Sequence, residues 1–92
     1  MSAWTPEKIR ELRSSIMGAK GLTQREFARL VGVSERTISR LETSATPLRD
    51  SVSKRFVALE AGWKAADEDK RFQAKALFHN AEPERAFSLL TS

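Results

Sequence analysis

The sequence predicts an all-α protein, a bundle of four to five short helices with a helical C-terminal extension. Apolar residues recur at the three- and four-residue spacing of a helix face, most clearly at Leu48, Val52, Phe56 and Leu59. Residues that cap helices precede several of these stretches. No segment shows a long alternation of apolar and polar residues, which is the pattern of a half-buried strand.

The length and composition indicate a soluble globular chain with one modest core. It has 92 residues, of which 40% are hydrophobic and 30% charged. No apolar run approaches the roughly 20 residues that span a bilayer, and no secretory signal is visible, so no membrane partner is expected. The absence of cysteine excludes disulfides and thiolate metal sites and fits a cytoplasmic location.

Positive charge is concentrated in the first two thirds of the chain. Residues 1–62 contain 11 Lys and Arg against 7 Asp and Glu, whereas residues 63–92 contain 5 of each kind. The net charge of +4 therefore lies wholly in the first part, which favours an anionic partner there. We predict a binding domain over residues 1–62 and a helical extension over residues 63–92.

Helix 1 is predicted from about Pro6 to Met17. Thr5 can cap the helix, and proline suits the first helical position because its missing N–H costs nothing there. Trp4 and Ile9 stand at the spacing of a hydrophobic staple. The apolar stripe then consists of Ile9, Leu12 and Ile16.

The segment from Gln24 to Glu42 predicts two short helices with a tight corner between them. Thr23 and Glu26 have the spacing of a capping box at the start of helix 2. Gly32 stands where that helix would end with a positive φ, and Ser34 can cap helix 3. The apolar faces consist of Phe27, Leu30 and Val31 in helix 2, and of Ile38 and Leu41 in helix 3.

Helix 4 is predicted from about Pro47 to Ala61, with Thr46-Pro47 as its start and Gly62 as its stop. The segment from Trp63 to Ser92 is helix-prone but has no narrow apolar stripe, and Pro83 separates off a short final turn. Asp67, Glu68 and Asp69 predict a helix start rather than a metal site, because adjacent residues of a helix point in different directions. His79 is interpreted as a surface or C-cap residue.

The helix pair resembles the Cro and phage-repressor (Xre-like) helix-turn-helix family. The shared pattern is Leu22-Thr23-Gln24, Phe27-Ala28, Gly32-Val33-Ser34, Ile38-Ser39 and Leu41-Glu42. The resemblance covers roughly residues 5–61 and implies a lambda-repressor-like bundle. The segment from Ser14 to Gly21 is about one helical turn longer than the common family pattern.

The resemblance implies that helix 3 enters the major groove of double-stranded DNA and contacts base edges from its first turns. The base-reading positions would be Ser34, Glu35, Arg36, Ser39 and Arg40. Arg36 offers two donors suited to guanine O6 and N7. Glu35 can accept from the cytosine amino group, or it can pair internally with Arg36 or Arg40.

Position also predicts contacts to the DNA backbone, because the Gln24 amide at the first turn of helix 2 can donate to a phosphate beside the free backbone N–H groups, where the helix dipole favours an anion. The expected phosphate-contacting residues are Gln24, Arg25, Thr37, Thr43, Ser44 and Arg49, and Lys54 and Arg55 are weaker candidates. Glu42 resembles a family glutamate that pairs with a basic residue of helix 1, for which Arg13 is the candidate.

The function predicted from these features is a sequence-specific regulator, a homodimeric repressor of a palindromic operator. The aromatic and aliphatic residues of the extension are the candidate dimer contact: Trp63, Phe72, Phe78, Phe87, Leu89 and Leu90. Packing of the extension on its own helix 4 is the alternative. No cofactor or metal is expected.

Two other functions are compatible with the sequence. An antitoxin would bind DNA to regulate its own synthesis and would cover a toxin with the extension. A protein-binding adaptor would use the same fold without reading a DNA sequence. Enzymatic activity is disfavoured, because the chain has a single histidine, no cysteine and neither a glycine-rich phosphate loop nor a paired-acid cleft.

Overall fold

The computed structural model describes residues 4–17, 21–44 and 48–92, and the regular structure within them is entirely helical. The bounds of the helices in these ranges are α1 Pro6–Ser15, α2 Gln24–Val31, α3 Glu35–Thr43, α4 Asp50–Ala65, α5 Glu68–His79 and α6 Pro83–Thr91. The predicted all-α fold class is confirmed. Over the same ranges, no helix has the length and hydropathy that crossing a bilayer requires.

Side-chain caps begin four of the helices, as the sequence predicts. Thr5 and Ser34 each accept a hydrogen bond from the backbone N–H three residues later, at the starts of α1 and α3. Thr23 and Glu26 form both bonds of the capping box that begins α2. Asp67 caps α5, so the acidic run is a helix start. Local polar groups therefore fix where these helices begin.

Helix α1 ends at Ser15, two residues before the predicted end at Met17. Ile16 leaves the helix in an extended conformation, with φ −98° and ψ 156°, and its side chain is completely buried. Met17 then takes a positive φ of 65°. Ile16 is thus buried in the core from an extended conformation, although its spacing predicted a helical one.

Helix α4 contradicts the predicted stop at Gly62, because it continues to Ala65. Gly62 lies inside the helix at the place where α6 crosses it. A Cβ atom at this position would overlap the carbonyl oxygen of Leu90. The glycine therefore permits a close helix crossing instead of ending a helix. The predicted start at Thr46-Pro47 lies outside the described residues.

The C-terminal segment forms a full helix, α6, where the sequence predicted a short final turn after Pro83. Ala86 and Leu90 of this helix are completely or almost completely buried. Helix α6 packs on α2, α4 and α5. The structure therefore has the alternative arrangement, in which the extension packs on helix α4 of the same chain.

The core is built around two stacked aromatic rings, those of Phe27 in α2 and Phe56 in α4. Their centroids are 5.6 Å apart, and Trp4 meets Phe56 edge-on at 5.3 Å. The same cluster of buried residues includes Ala74 of α5 and Leu90 of α6. Helix α4 runs continuously across residues 62 and 63, so the extension shares the core of the first helices.

Candidate nucleic-acid interface

The corner between α2 and α3 is a left-handed turn closed by backbone hydrogen bonds. Gly32 has φ 78° and ψ 32°, a conformation that glycine adopts without steric cost. The N–H groups of Gly32 and Val33 both donate to the carbonyl oxygen of Ala28, at 2.9 and 3.0 Å. Ser34 then caps α3. These bonds define the direction in which α3 leaves the corner.

The inner side of α3 is anchored by apolar contacts and by one buried carboxylate. Ile38 and Leu41 are buried in the core, and α3 packs on α1 and α2. Glu42 is only 2% exposed, and its two carboxylate oxygens accept hydrogen bonds from Arg13 Nε and Nη2, both at 2.8 Å. The predicted pair between Arg13 and Glu42 is confirmed.

Further donors surround Glu42 and tie α1 and α2 to the end of α3. Gln24 Nε2 donates to Glu42 Oε1 at 3.2 Å, and Arg10 Nη1 donates to the Glu42 backbone carbonyl at 3.2 Å. Arg13 also donates to the Leu22 carbonyl. Since a buried charge requires such compensation, this network fixes α3 against the first two helices.

Gln24 therefore has a structural contact that its predicted phosphate role did not include. Its side-chain amide nitrogen already donates within the chain. The backbone N–H groups of Gln24 and Arg25, at the start of α2, have no hydrogen-bond partner among the described residues. A phosphate near this end of the helix would meet those two donors and the positive end of the helix dipole.

The outer side of α3 presents its predicted base-reading residues away from the core. Ser34, Glu35, Arg36 and Arg40 are exposed, and Ser39 is half-buried. Within the described parts of the chain, neither Arg36 nor Arg40 has an ion-pair or hydrogen-bond partner for its guanidinium, and Glu35 pairs with neither of them. The two arginines stand one helical turn apart on this side.

The predicted phosphate-contacting hydroxyls bond to their own helix. Thr37 shares a hydrogen bond with the Ser34 hydroxyl at 2.8 Å, and Thr43 donates to the Ser39 carbonyl at 2.8 Å. Ser44 donates to the Arg40 carbonyl at 3.0 Å. While the hydroxyls of Thr43 and Ser44 donate to these carbonyls, they cannot also donate to a phosphate, whereas either hydroxyl of the Thr37–Ser34 pair can be the donor. Arg25 and Arg49 are exposed.

The arrangement of α2 and α3 is that of a known protein family. A family model described as a helix-turn-helix domain matches residues 7–66, well over half of the chain. The chain belongs to the Cro-type (Xre-like) helix-turn-helix family. No curated protein and no solved structure shows significant similarity to it. In this helix-turn-helix protein α2 and α3 form the motif, and α5 and α6 lie beyond the matched residues.

The residues predicted for the dimer contact of this helix-turn-helix protein do not form one surface. Trp63 and Leu90 are buried in the chain's own core, where a partner could not reach them. Phe72 is the most exposed large apolar residue of the described chain, with 73% of its surface accessible. The half-buried members of the set, which also pack against the core, are Phe78, Phe87 and Leu89.

Three arginines have structural partners that the sequence analysis did not identify. Arg10 contacts the backbone of Glu42, and Arg71 donates twice to the Trp63 carbonyl while lying 4.8 Å from the Trp63 ring. Arg55 donates to the Val31 carbonyl at 3.1 Å. Arg10 and Arg55 have partners more than 20 residues away along the chain, so no local pattern could have indicated these pairs.

Proposed function

We propose that this protein is a sequence-specific transcriptional regulator of the cytoplasm, a homodimeric repressor that places α3 in the major groove of a palindromic operator. The observation that carries the proposal is the outer side of α3. There Arg36 and Arg40 are exposed and have no partner among the described residues, while the inner side is fixed by the buried Glu42 network.

Base reading is assigned to the first turns of α3. Arg36 would donate to guanine O6 and N7, because its planar fork matches the two acceptors. Glu35, which forms no ion pair within the described residues, would accept from a cytosine amino group. The other residues proposed to contact base edges in the major groove are Ser34, Ser39 and Arg40.

Backbone contacts would position the motif on the duplex without reading sequence. Arg25 and Arg49 are exposed and supply charge, and the free N–H groups at the start of α2 supply aligned donors for a phosphate. The hydroxyls of Thr43 and Ser44 would have to release their backbone carbonyls to donate to a phosphate, and that of Thr37 would have to release the proton it can share with Ser34, so all three would be weaker contacts. The positive excess over residues 1–62 favours the approach of DNA to this part of the chain.

Dimerisation would use the outer side of α5, centred on Phe72. A single helix-turn-helix contacts few base pairs, and two-fold dimers extend the site to two half-sites. Of the large apolar residues in the extension, Phe72 is the one that the chain's own core leaves exposed. Replacing Phe72 by serine should shift the protein toward monomer in sedimentation experiments, whereas Val57→Ser, at a site 54% exposed on α4, should not.

The antitoxin function remains the second proposal and would use the same exposed part of α5. In that case a co-encoded small protein would purify with the chain, and Phe72→Ser would release it. A regulator without a toxin would purify alone and would still bind its operator.

Selection of bound fragments from random duplex DNA tests the proposed function directly. We expect an enriched site with two-fold symmetry and half-sites about 10 base pairs apart, centre to centre, which is one turn of the double helix. Enrichment of no sequence, with equal binding to all duplexes at low salt, would refute sequence-specific reading and favour the adaptor.

A further inference from the structure

Arg55 links three elements that are distant in sequence. It lies on α4, and its Nη1 atom donates to the carbonyl oxygen of Val31 at 3.1 Å. Val31 is the last residue of α2, so this carbonyl belongs to the set that a helix end leaves without an intrahelical donor. A cation at the C-terminal end of α2 also interacts favourably with the helix dipole.

The same guanidinium also contacts α6. Its central carbon lies 5.4 Å from the centroid of the Phe87 ring, within the range of a cation–π interaction. Helix α6 is held in place nearby by the buried side chain of Leu90 and by its close crossing over Gly62. The ring therefore restricts where the Arg55 guanidinium can lie.

Gly32 leaves the space that this contact needs. A Cβ atom on Gly32 would come within 2.9 Å of Arg55 Nη1, closer than real Cβ contacts. The glycine serves the corner chiefly through its positive φ, and a Cβ here would also displace the flexible end of the Arg55 side chain. From the sequence, Gly32 was predicted only for its positive φ and not for its contact with Arg55.

We propose that Arg55 is a positioning residue for DNA reading, through which the docking of α6 stabilises the corner between α2 and α3. The proposal rests on the proposed function, because the corner sets the direction of α3. It replaces the interpretation of Arg55 as a weak phosphate contact. It also makes α6, which lies outside the matched domain, a contributor to operator affinity although it presents no base-reading residue.

The test measures operator affinity for full-length variants over a range of salt concentrations. Arg55→Gln and Phe87→Leu should each weaken binding to the selected duplex about three- to tenfold, the size of one net hydrogen bond or one cation–π contact. The double variant should lose little more than Arg55→Gln alone, because Arg55→Gln removes both contacts and Phe87 acts only through Arg55. Arg55→Lys should recover only part of the loss, since an ammonium does not stack as a planar guanidinium does.

Two readouts separate positioning from a phosphate contact and from general stability. A positioning residue leaves the salt dependence of affinity unchanged, whereas removal of a phosphate contact lowers its slope by about 1. Positioning also lowers affinity for the selected duplex more than for a scrambled one. The matched control is Arg29→Gln, because Arg29 is an exposed arginine lining the same groove between α2 and α6, with no partner among the described residues. It should leave the preference for the selected duplex unchanged.

The proposal is overturned if Phe87→Leu binds the operator as the wild type does, or if Arg55→Gln reduces the salt slope and weakens binding to all duplexes equally. A wild type that selects no sequence would refute the proposed function instead. The coupling would then be tested by amide hydrogen exchange at Gly32 and Val33, measured on the folded full chain. Phe87→Leu should accelerate that exchange, and unchanged rates would overturn the proposal.

Discussion

The chain contains two helix pairs with corners of similar length but different construction. The corner between α2 and α3 uses Gly32 at φ 78° and a Ser34 side-chain cap. The corner between α5 and α6 places Ala81 at φ 60°, and Glu82, the N-cap residue of α6, makes no side-chain cap bond. In the first pair the residues match the conformation, whereas in the second an alanine occupies a region that favours glycine.

The difference shows that local residues contribute more to the first corner than to the second. Local residues set the conformation of the corner of α2 and α3, because glycine, cap and capping box agree with one another, and the proposed Arg55 contact adds to them. The corner of α5 and α6 depends on the packing of α6, which buries Ala86 and Leu90 and crosses α4 at Gly62. Tertiary contacts offset the local strain at Ala81.

The largest expected effect compares the Arg13–Glu42 ion pair, which ties α3 to α1, with the Glu82–Arg85 ion pair at the start of α6. Glu42→Gln should lower the free energy of unfolding by about 3 kcal/mol, because it leaves Arg13 without its counter-charge at a nearly buried site. Glu82→Gln, which breaks the exposed pair with Arg85, should cost less than about 1 kcal/mol. Urea unfolding of both variants measures the difference. Equal losses would show that the buried network does not distinguish the first pair from the second.

Gly62→Ala tests how far the second pair depends on close packing. Helix propensity alone would make this change stabilising by about 1 kcal/mol. Overlap with the Leu90 carbonyl should reverse the sign and destabilise the protein by about 1–3 kcal/mol. Thermal unfolding gives the sign directly, and a raised melting temperature would mean that α6 does not cross α4 this closely.

The smallest effects concern the positive-φ residue in each of these two corners, Gly32 and Ala81. Gly32→Ala should cost about 1–2 kcal/mol, since the substituted residue retains the positive φ. Ala81→Gly should change stability by less than about 0.5 kcal/mol, because relief of strain is offset by the greater freedom of glycine in the unfolded chain. Denaturant titrations measure the free energy of unfolding of the two variants. A large gain in stability for Ala81→Gly would indicate that more strain is stored at Ala81.

The sequence predicted the first helix pair in detail because its signals are local. Thr23, Glu26 and Ser34 cap the helices they precede, and Gly32 has the expected positive φ. The Arg13–Glu42 contact followed from the family resemblance rather than from spacing. All of these residues lie within the matched domain.

The contacts of the extension could not be predicted in the same way. Gly62 has the appearance of a helix stop, and only the position of Leu90 shows that it is a crossing point. Arg55 has its partners on α2 and α6, and the sequence carries no sign of either. Helix α5 buries Ala74 and exposes Phe72, so hydrophobicity alone does not reveal which side faces the core.

The central claim is that the outer side of α3 reads bases, and Arg36→Ala tests it most directly. Affinity for the selected duplex and for a scrambled duplex should be measured at one salt concentration, followed by selection with the variant. We predict a loss of roughly 1–3 kcal/mol on the selected site, with relaxed preference at one base position and a much smaller loss on scrambled DNA. An equal loss on both duplexes, with an unchanged selected sequence, would contradict the account.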